Sequence, residues 1–307
     1  MADQDSERGL RARTFGTVAE EYARLRPAPC GAAVDWLVPE GCGRVLDLAA
    51  GAGTLTAMLG ERAGEVVAVE PDDRMRATLA DRCPDATVLN GTAEELPLPD
   101  GQLDAVVVAS AWHWFDPERA VPEIARVLRP GGRLSVVWNT LDITVPWVAE
   151  WYAGLRPDPA APREAPGPAA SREAPDPAAS REAPDPAASR EAPDPAVPRE
   201  APDRRLASRG ARLREDLRAA GPLFEDPEEN AVTCTRRTTP ADAAALLGTY
   251  SRVIMLPPED RRRLLAKAET TLRARLSLPA DEEFDLPFRS LCWRATRTAT
   301  PAQVGRG

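Results

Sequence analysis

The sequence predicts an α/β fold built on a mostly parallel, Rossmann-like sheet with helices on both faces. Two observations carry this prediction. A buried apolar strand runs into a turn of small residues at 45–53 (VLDLAAGAG), and a helical pattern follows from Thr54. A second apolar run, VVAVE, ends at Glu70, nineteen positions after Gly51. A small-residue turn paired with an acid at the next strand end is typical of a nucleoside site.

The turn indicates which nucleoside the site takes. The dinucleotide fingerprint is G-x-G-x-x-G; Gly51 and Gly53 fit its first two positions, but Thr56 stands at the third. Asp47 lies just inside the strand end, where a carboxylate favours a cation over a pyrophosphate. S-adenosylmethionine carries an ammonium, a sulfonium and a ribose but no phosphate. These residues therefore suit it better than NAD.

Further strands and helices follow in order. The segment 90–97 (NGTAEELP) comes after a third short apolar stretch, and 99–104 (PDGQLD) has good turn chemistry. The run AVVVAS at 105–110 is apolar on both faces, as expected of a central parallel strand. A helical stripe at 123–128 then meets the stop signal Pro130-Gly131-Gly132, and the strand RLSVVWN follows.

With these motifs in place, residues 14–140 resemble the class I S-adenosylmethionine-dependent methyltransferases, in the small-molecule subgroup with a methyltransferase type 11-like domain. The first motif of that family looks like D-x-G-x-G-x-G. Here it reads Asp47, Ala49, Gly51 and Gly53, so that alanine replaces the first glycine. The E-x-x-R-V-L-R-P-G-G helix end before a strand adds to the resemblance. It implies a seven-stranded sheet whose last strand is antiparallel, with S-adenosylmethionine as the cofactor.

The resemblance also implies where the cofactor binds. Its methionine end would lie near Asp47 and Gly51, its ribose on Glu70 and its adenine beside Glu94. For Glu94 a solvated acidic loop is an equal alternative. The implied cofactor residues are Asp47, Ala49, Gly51, Gly53, Glu70, Pro71, Thr92, Ala93, Glu94 and Ser110.

The family places substrate-facing residues at the end of the fourth strand, which here reads ASAWHWFD (109–116). His113, the sole histidine of the chain, is the candidate general base or substrate ligand. The alternative is that His113 bonds to backbone while its aromatic neighbours pack a helix. Trp138 and Asn139 are second-rank pocket candidates. The predicted substrate-binding residues are Tyr22, Arg26, Trp112, His113 and Trp114.

The patterns and the resemblance together divide the chain into four regions. The resemblance implies a helical lid (1–42) that carries Tyr22 and Arg26, although simple packing of Tyr22 is as good an interpretation. The cofactor-binding core is 43–156, and 206–307 completes the sheet and adds a helical substrate cap. In this last part the patterns predict a helix ending before Gly221, strands at 230–238 and 290–296, and helices at 240–256 and 257–276.

The remaining region, 157–205, contains a nine-residue repeat of the form REAPDPAAS. Alternate prolines exclude helix and sheet, and the unit has almost no bulky apolar residue with which to build a core. We therefore predict a disordered, proline-stiffened linker. The alternative function is a docking segment for an aromatic groove.

Composition restricts partners and compartment. The net charge is −9 and there is no basic stripe, which argues against nucleic acid. No apolar run approaches the ~20 residues of a membrane helix. The five cysteines are scattered without C-x-x-C, so we expect no metal site and no disulfide. Cys30 and Cys42 are expected to be small buried hydrophobes. The protein is expected to be cytoplasmic. The oligomeric state stays open.

The predicted function is methyl transfer from S-adenosylmethionine to a small carboxylated or lipophilic molecule. Two alternatives stay open. One is a non-catalytic cofactor-binding or interaction protein that works through the proline-rich segment. The other is an NAD-dependent oxidoreductase, against which Thr56 argues.

Overall fold

The computed structural model describes Leu25 and residues 27–154, 202–279 and 281–299. Within these ranges no helix is both long and apolar enough to cross a bilayer. The helices are α1 Gly31–Leu37, α2 Thr54–Leu59, α3 Asp73–Arg82, α4 Pro117–Val127, α5 Pro146–Ala153, α6 Pro202–Ala219, α7 Pro240–Leu247, α8 Ser251–Ile254 and α9 Pro258–Leu276, with a 3₁₀ turn at Trp112–Trp114. The strands are β1 Arg44–Leu48, β2 Glu65–Val69, β3 Thr87–Leu89, β4 Leu103–Ala109, β5 Leu128–Leu141, β6 Glu228–Thr238 and β7 Phe284–Thr296.

The seven strands form one sheet in the order β3-β2-β1-β4-β5-β7-β6. The first five strands pair in parallel, whereas β7 runs antiparallel to both β5 and β6. This confirms the predicted Rossmann-like sheet with its antiparallel last strand. Leu48, the last residue of β1, pairs with Val69 of β2 and Val108 of β4. The parallel strands therefore end together at one edge, which we call the carboxyl edge.

Two apolar layers cover the sheet because successive residues of a strand face opposite sides. Leu46 and Leu48 belong to the layer under α4 and α6, whereas Val45 belongs to the layer under α1 and α2. We call these the α4 face and the α1 face. The central strand β4 contributes Val106 to the first layer and Val107 to the second, both fully buried. The prediction that 105–110 is apolar on both faces because it lies centrally is thus confirmed.

A third apolar cluster joins α5, α7 and α9 to the ends of the strands. It includes Leu141 at the end of β5 and Phe284 at the start of β7, so it lies at the carboxyl edge. The predicted helix 240–256 is wrong in extent, since α7 ends at Leu247 and α8 begins only at Ser251. Gly248 caps α7 and interrupts the helix, as expected from its low helix propensity.

The repeat lies largely outside the described residues, as do Tyr22 and Arg26 of the predicted lid. Where the structure resumes, α6 begins at Pro202. The predicted linker (157–205) therefore extends four residues too far. Proline is well tolerated in the first turn of a helix, and the sequence from Asp203 to Ala219 has none, so the helix starts where the prolines stop.

A disulfide joins Cys30, just before α1, to Cys234 in β6, with the Cα atoms 5.9 Å apart. The expectation of no disulfide and of a purely apolar role for Cys30 is therefore wrong, and the argument for a reducing compartment loses its basis. Sequence spacing gives no sign of the pair because 204 positions separate the two cysteines. Cys42 is buried with a free thiol, as predicted for a small hydrophobe.

Candidate functional site

The loop between β1 and α2 lies at the carboxyl edge and has an unusual backbone. Ala49, Gly51 and Gly53 have φ values of 58°, 57° and 82°. The N–H of Ala50 donates to the carbonyl of Val69, which anchors the loop to β2. A left-handed alanine is costly, and such residues concentrate at binding sites. The loop is therefore held in a conformation that local sequence preference alone does not provide.

Gly51 and Gly53 are required for different reasons. A Cβ added at Gly53 would lie 2.6 Å from Leu79 Cδ1 and 3.2 Å from Cys83 Sγ, both contributed by the α3 region. A Cβ at Gly51 would meet no described atom within 4 Å. Gly53 therefore allows α2 and α3 to pack, whereas the described residues leave the space at Gly51 open.

Alanine substitutions at these two glycines are expected to separate stability from binding. Gly53→Ala adds left-handed strain and a clash, and should lower the free energy of unfolding by about 3 kcal/mol. Gly51→Ala should cost only about 1 kcal/mol, because no atom of the described residues opposes its methyl group. Urea unfolding with and without S-adenosylhomocysteine would measure both quantities.

Binding of S-adenosylhomocysteine should distinguish Gly51→Ala from Gly53→Ala. Gly51→Ala should weaken S-adenosylhomocysteine binding more than tenfold while the apoprotein stays folded, on the scale of about 1.4 kcal/mol per decade. Equal destabilisation by the two variants, or unchanged binding of S-adenosylhomocysteine to Gly51→Ala, would contradict the prediction that the ligand lies against Gly51.

Asp47 is the buried acid of the site, with a relative exposure of 1%. Its Oδ2 accepts a 2.6 Å hydrogen bond from the Thr56 hydroxyl. Among the described residues its Oδ1 is buried without a hydrogen-bond partner. Burial raises the pKa of Asp47 to about 7, and the Thr56 bond opposes the shift. Such an oxygen is expected to seek a cationic donor, since an unpaired buried polar atom is costly.

Glu70 lies directly after β2, contacts the loop from the neighbouring strand, and is 7% exposed. Its carboxylate accepts hydrogen bonds from the Gly51 N–H at 2.9 Å and from the Asp72 N–H at 3.0 Å. Burial raises the pKa of Glu70, while these two N–H groups lower it. Each carboxylate oxygen retains further acceptor capacity, so two adjacent hydroxyl groups suit this position.

Arg76 supports the turn after β2 and was missed by the sequence reasoning. Its Nη1 donates to the carbonyls of Glu70 at 2.9 Å and Pro71 at 2.8 Å, and to Asn90 Oδ1 at 3.0 Å. It therefore ties the end of β2 to the loop after β3. In sequence it is one of three arginines on α3, and only the fold shows that it joins these loops.

The loop after β3 places its three predicted cofactor residues in different environments. Thr92 is exposed and Ala93 is buried. Glu94 Oε1 accepts a 2.9 Å hydrogen bond from the Asp116 N–H at the start of α4. This contact differs from the solvated-loop interpretation, because Glu94 joins its loop to the α4 terminus.

The segment after β4 places the predicted residues Ser110 and Trp112 in different environments. Ser110 has a left-handed φ of 57°, and its N–H donates to the Val137 carbonyl at 2.8 Å. Trp112 is 3% exposed, and its Nε1 donates to Asp216 of α6 at 2.9 Å. The prediction that Trp112 faces a substrate is therefore corrected, because its ring packs in the core of the α4 face.

His113 and Trp114 remain at the surface of this segment. His113 is exposed, and its ring centroid lies 4.6 Å from that of the half-buried Trp114. Trp114 also packs against the apolar layer of the α4 face. The 3₁₀ turn thus directs successive side chains differently, with Trp112 inward and His113 outward. A sequence pattern of clustered aromatics does not distinguish these directions.

The two second-rank residues of β5 have structural contacts. Asn139 donates its side-chain amide to the Pro27 carbonyl at 2.9 Å, and its Oδ1 accepts from the Ser290 hydroxyl. Its amide therefore holds the segment before α1, which argues against a pocket role. Trp138 is 7% exposed and meets the Trp293 ring edge-on at 5.2 Å between centroids.

The carboxyl edge therefore brings most of the predicted cofactor residues together. Asp47 lies one residue before the end of β1, and the loop to Gly53, Glu70 and Ser110 follow the ends of the adjacent parallel strands β1, β2 and β4. The loops that carry Pro71 and Thr92 are joined by Arg76. The arrangement suits a ligand with a cationic group at Asp47 and a diol at Glu70.

Comparison with known proteins finds similarity to methyltransferases over part of the chain. Residues 46–136 match the family model described as a methyltransferase domain. An uncharacterised methyltransferase of Mycobacterium bovis is 54% identical over 137 residues, which cover 45% of this chain and 56% of that protein. A demethylmenaquinone methyltransferase of Thermus thermophilus is 43% identical over 113 residues, covering 34% of this chain and 51% of that protein. The chain spans about half the length of these relatives.

A solved structure shares the fold over more of the chain. A candidate type II methyltransferase from Anaeromyxobacter dehalogenans superposes with a TM-score of 0.56 and 23% identity. The alignment covers 89% of this chain and 97% of the other. At this identity the likeness shows the fold alone, and it agrees with the sheet order described above.

Proposed function

We propose that the protein transfers a methyl group from S-adenosylmethionine to a small-molecule acceptor, a proposal that the match of residues 46–136 to the methyltransferase domain model supports. The main support is the unpartnered, buried Oδ1 of Asp47, together with the open space that the described residues leave at Gly51, four positions further along the chain. An ammonium group at that oxygen would compensate a carboxylate that the protein alone leaves half satisfied.

The protein residues have distinct tasks in this proposal. Bound S-adenosylmethionine supplies a methyl group activated by its positive sulfur. Asp47 binds the ammonium group, Glu70 accepts from the ribose hydroxyls, and the loop backbone at Gly51 allows close approach. The acceptor reaches the site beyond Ser110, where the protein aligns it and excludes water. His113 is the candidate base for an acidic acceptor.

The proposal predicts selective binding and turnover. Calorimetry should detect S-adenosylmethionine and S-adenosylhomocysteine binding, whereas NAD should give no heat. A screen of small molecules with methyl-labelled cofactor, read out as S-adenosylhomocysteine release, would then find the acceptor. Binding of NAD in preference to S-adenosylmethionine would overturn the proposal.

Glu70→Ala should weaken S-adenosylhomocysteine binding by about ten- to a hundredfold, since it removes charge-assisted hydrogen bonds worth roughly 1.5–3 kcal/mol in total. It also removes the acceptor of the Gly51 N–H. Calorimetry measures the loss. Glu95→Ala is the matched control, because Glu95 is exposed in the loop after β3. Equal affinities of the two variants would exclude Glu70 from the ribose site.

A further inference from the structure

We propose that the protein forms a symmetric dimer in which the outer edge of β6 pairs with β6 of a second copy. β6 is the last strand of the sheet and pairs with β7 along its whole length, from Glu228 to Thr238. Among the described residues no strand pairs with its other side. A long edge with outward N–H and C=O groups is a template for another strand. This surface is separate from the cofactor loop.

The hydrogen bonds of β7 show which backbone groups of β6 point outward. The Asp142 N–H donates to the Pro287 carbonyl at 3.0 Å, so the carbonyl of Pro287 points toward β5. Because these directions alternate along a strand, the even-numbered residues of β7 point toward β6. One of them, Ser290, pairs with Val232. The even-numbered residues of β6 therefore bond to β7, and the odd-numbered residues direct their N–H and C=O groups away from the sheet.

The outward backbone groups follow one another along the edge of β6. The Ala231 N–H donates to Oδ1 of the neighbouring Asn230 at 2.8 Å, a local bond that the carbonyl of a pairing strand can replace. Thr233, Thr235 and Arg237 are exposed. The full set of outward residues is Glu229, Ala231, Thr233, Thr235 and Arg237.

Thr233 is the midpoint of β6 and belongs to the outward set. A two-fold axis perpendicular to the sheet at Thr233 makes the two strands antiparallel, with Glu229 of each copy opposite Arg237 of the other. Each outward N–H then meets an outward C=O. A register centred on Val232 would instead place Arg237 opposite Pro227, which has no N–H. The backbone therefore favours the register centred on Thr233.

The charges along β6 are complementary to those of a second, antiparallel copy. Arg237 is 62% exposed and lies 3.6 Å from Glu283. Glu229 Oε1 accepts from Trp293 and Arg214, and a carboxylate can accept further hydrogen bonds. Antiparallel pairing brings these opposite charges together at both ends of the strand, in addition to their existing contacts. Parallel pairing of the two copies would place like charges side by side, which is destabilising.

The shape of this edge also suits the two-fold axis. At one end of β6, Arg214 of α6 pairs with Glu229 at 2.7 Å, and a Cβ at Gly210 of the same helix would overlap Glu229. At the other end of the same face, Thr235 and Arg237 are exposed. The axis therefore places the end that α6 covers beside the exposed end of the second copy.

Sedimentation equilibrium of the full-length protein over a range of concentrations tests the proposal. We expect a reversible equilibrium between monomer and dimer. Arg237→Glu should raise the dissociation constant of the dimer at least about tenfold, because like charges then meet at both ends. Thr233→Pro should raise it as well, since proline removes an outward N–H and leaves the bonds to β7 in place. Circular dichroism and thermal unfolding check that both variants fold.

Arg74→Glu is the matched control for the charge change. Arg74 is exposed on α3, which contacts β3 at the opposite edge of the sheet. The control should dimerise as the wild type does.

Cross-linking determines the register. In Thr233→Cys the introduced thiols belong to directly opposite residues, whose Cα atoms are about 5.5 Å apart. In Thr235→Cys the Cα atoms are roughly 14 Å apart, because Thr235 lies opposite Ala231. A short bismaleimide should therefore link Thr233→Cys at least about tenfold faster. The two variants are matched, since both positions are exposed and flank Cys234, and the wild type gives the background from its buried free cysteines.

A wild type that stays monomeric up to about 1 mM would overturn the proposal. So would a dimer that forms equally well in Arg237→Glu, or one that is linked as fast through Thr235→Cys as through Thr233→Cys. None of these measurements needs a cofactor or an acceptor. Failure of the dimer is therefore distinguished from failure of the proposed function.

Discussion

Asp47→Asn is expected to weaken S-adenosylmethionine binding by roughly 30-fold or more, because truncating one partner of a buried charge pair costs about 2–5 kcal/mol. Asparagine keeps the size of the side chain and an acceptor for the Thr56 hydroxyl. What it removes is the negative charge that Oδ1 offers to an ammonium group. The affinity loss therefore reports the charge rather than the packing.

The same substitution should stabilise the protein without ligand at high pH. The pKa of Asp47 is raised from 3.8 to about 7 in the folded state. Between these values the unfolded carboxyl has lost its proton while the folded one retains it, so stability falls as pH rises. Above pH 7 the loss in the free energy of unfolding is constant. From the difference between the two pKa values it is at most roughly 4 kcal/mol. Asp47→Asn abolishes this contribution.

Urea unfolding from pH 4 to pH 9, together with calorimetry, measures both effects. The wild type should lose stability relative to Asp47→Asn across the window from about pH 4 to pH 7. Asp81→Asn is the control, because Asp81 is exposed on α3. Parallel pH profiles for wild type and Asp47→Asn, or equal affinities, would contradict the role assigned to Asp47.

Loss of the Cys30–Cys234 disulfide is expected to lower the free energy of unfolding by up to about 5 kcal/mol. The bond spans 204 positions, and in the chain-entropy description a longer closed loop restricts the unfolded chain more strongly. The folded segment before α1 keeps other contacts, including Asn139 with Pro27 and Ser290 with the Cys30 N–H. Reduction should therefore weaken the fold without dismantling the site.

Thermal unfolding with and without a dithiol reductant measures the loss. The Cys30→Ala/Cys234→Ala variant should match the reduced wild type and show no response to reductant. Alkylation of the unfolded protein should modify three cysteines before reduction and five after it, since Cys42, Cys83 and Cys292 are free. Five reactive thiols in the unreduced protein would refute the bond.

The sequence predicts the parts of the fold that depend on local patterns. The strand, small-residue turn and acid at Asp47, Gly51 and Glu70 predict the nucleoside crevice, because each feature lies within a few residues of a strand end. The alternation of strands and helices predicts the parallel sheet, and the family resemblance supplies its antiparallel last strand. These features need no knowledge of which distant segments meet.

Contacts between distant segments could not be predicted in this way. Trp112 is a candidate substrate-binding residue by sequence, yet its indole N–H donates to Asp216 across 104 positions. Arg76 and the disulfide partner of Cys30 are equally undistinguished in sequence. In each case the side chain bonds to a group that only folding brings near. The residue type in the sequence does not identify that partner.

The disulfide crosses the interval from 155 to 201, with Cys30 before it and Cys234 after it. A single cut of the backbone anywhere in that interval would yield two polypeptides that stay covalently linked until a thiol reduces the disulfide. The first would hold β1 to β5 with Asp47, Gly51 and Glu70 of the proposed cofactor site, and the second α6, β6 and β7. The gene could accordingly be divided at the repeat, and its two products would be covalently reunited by oxidation.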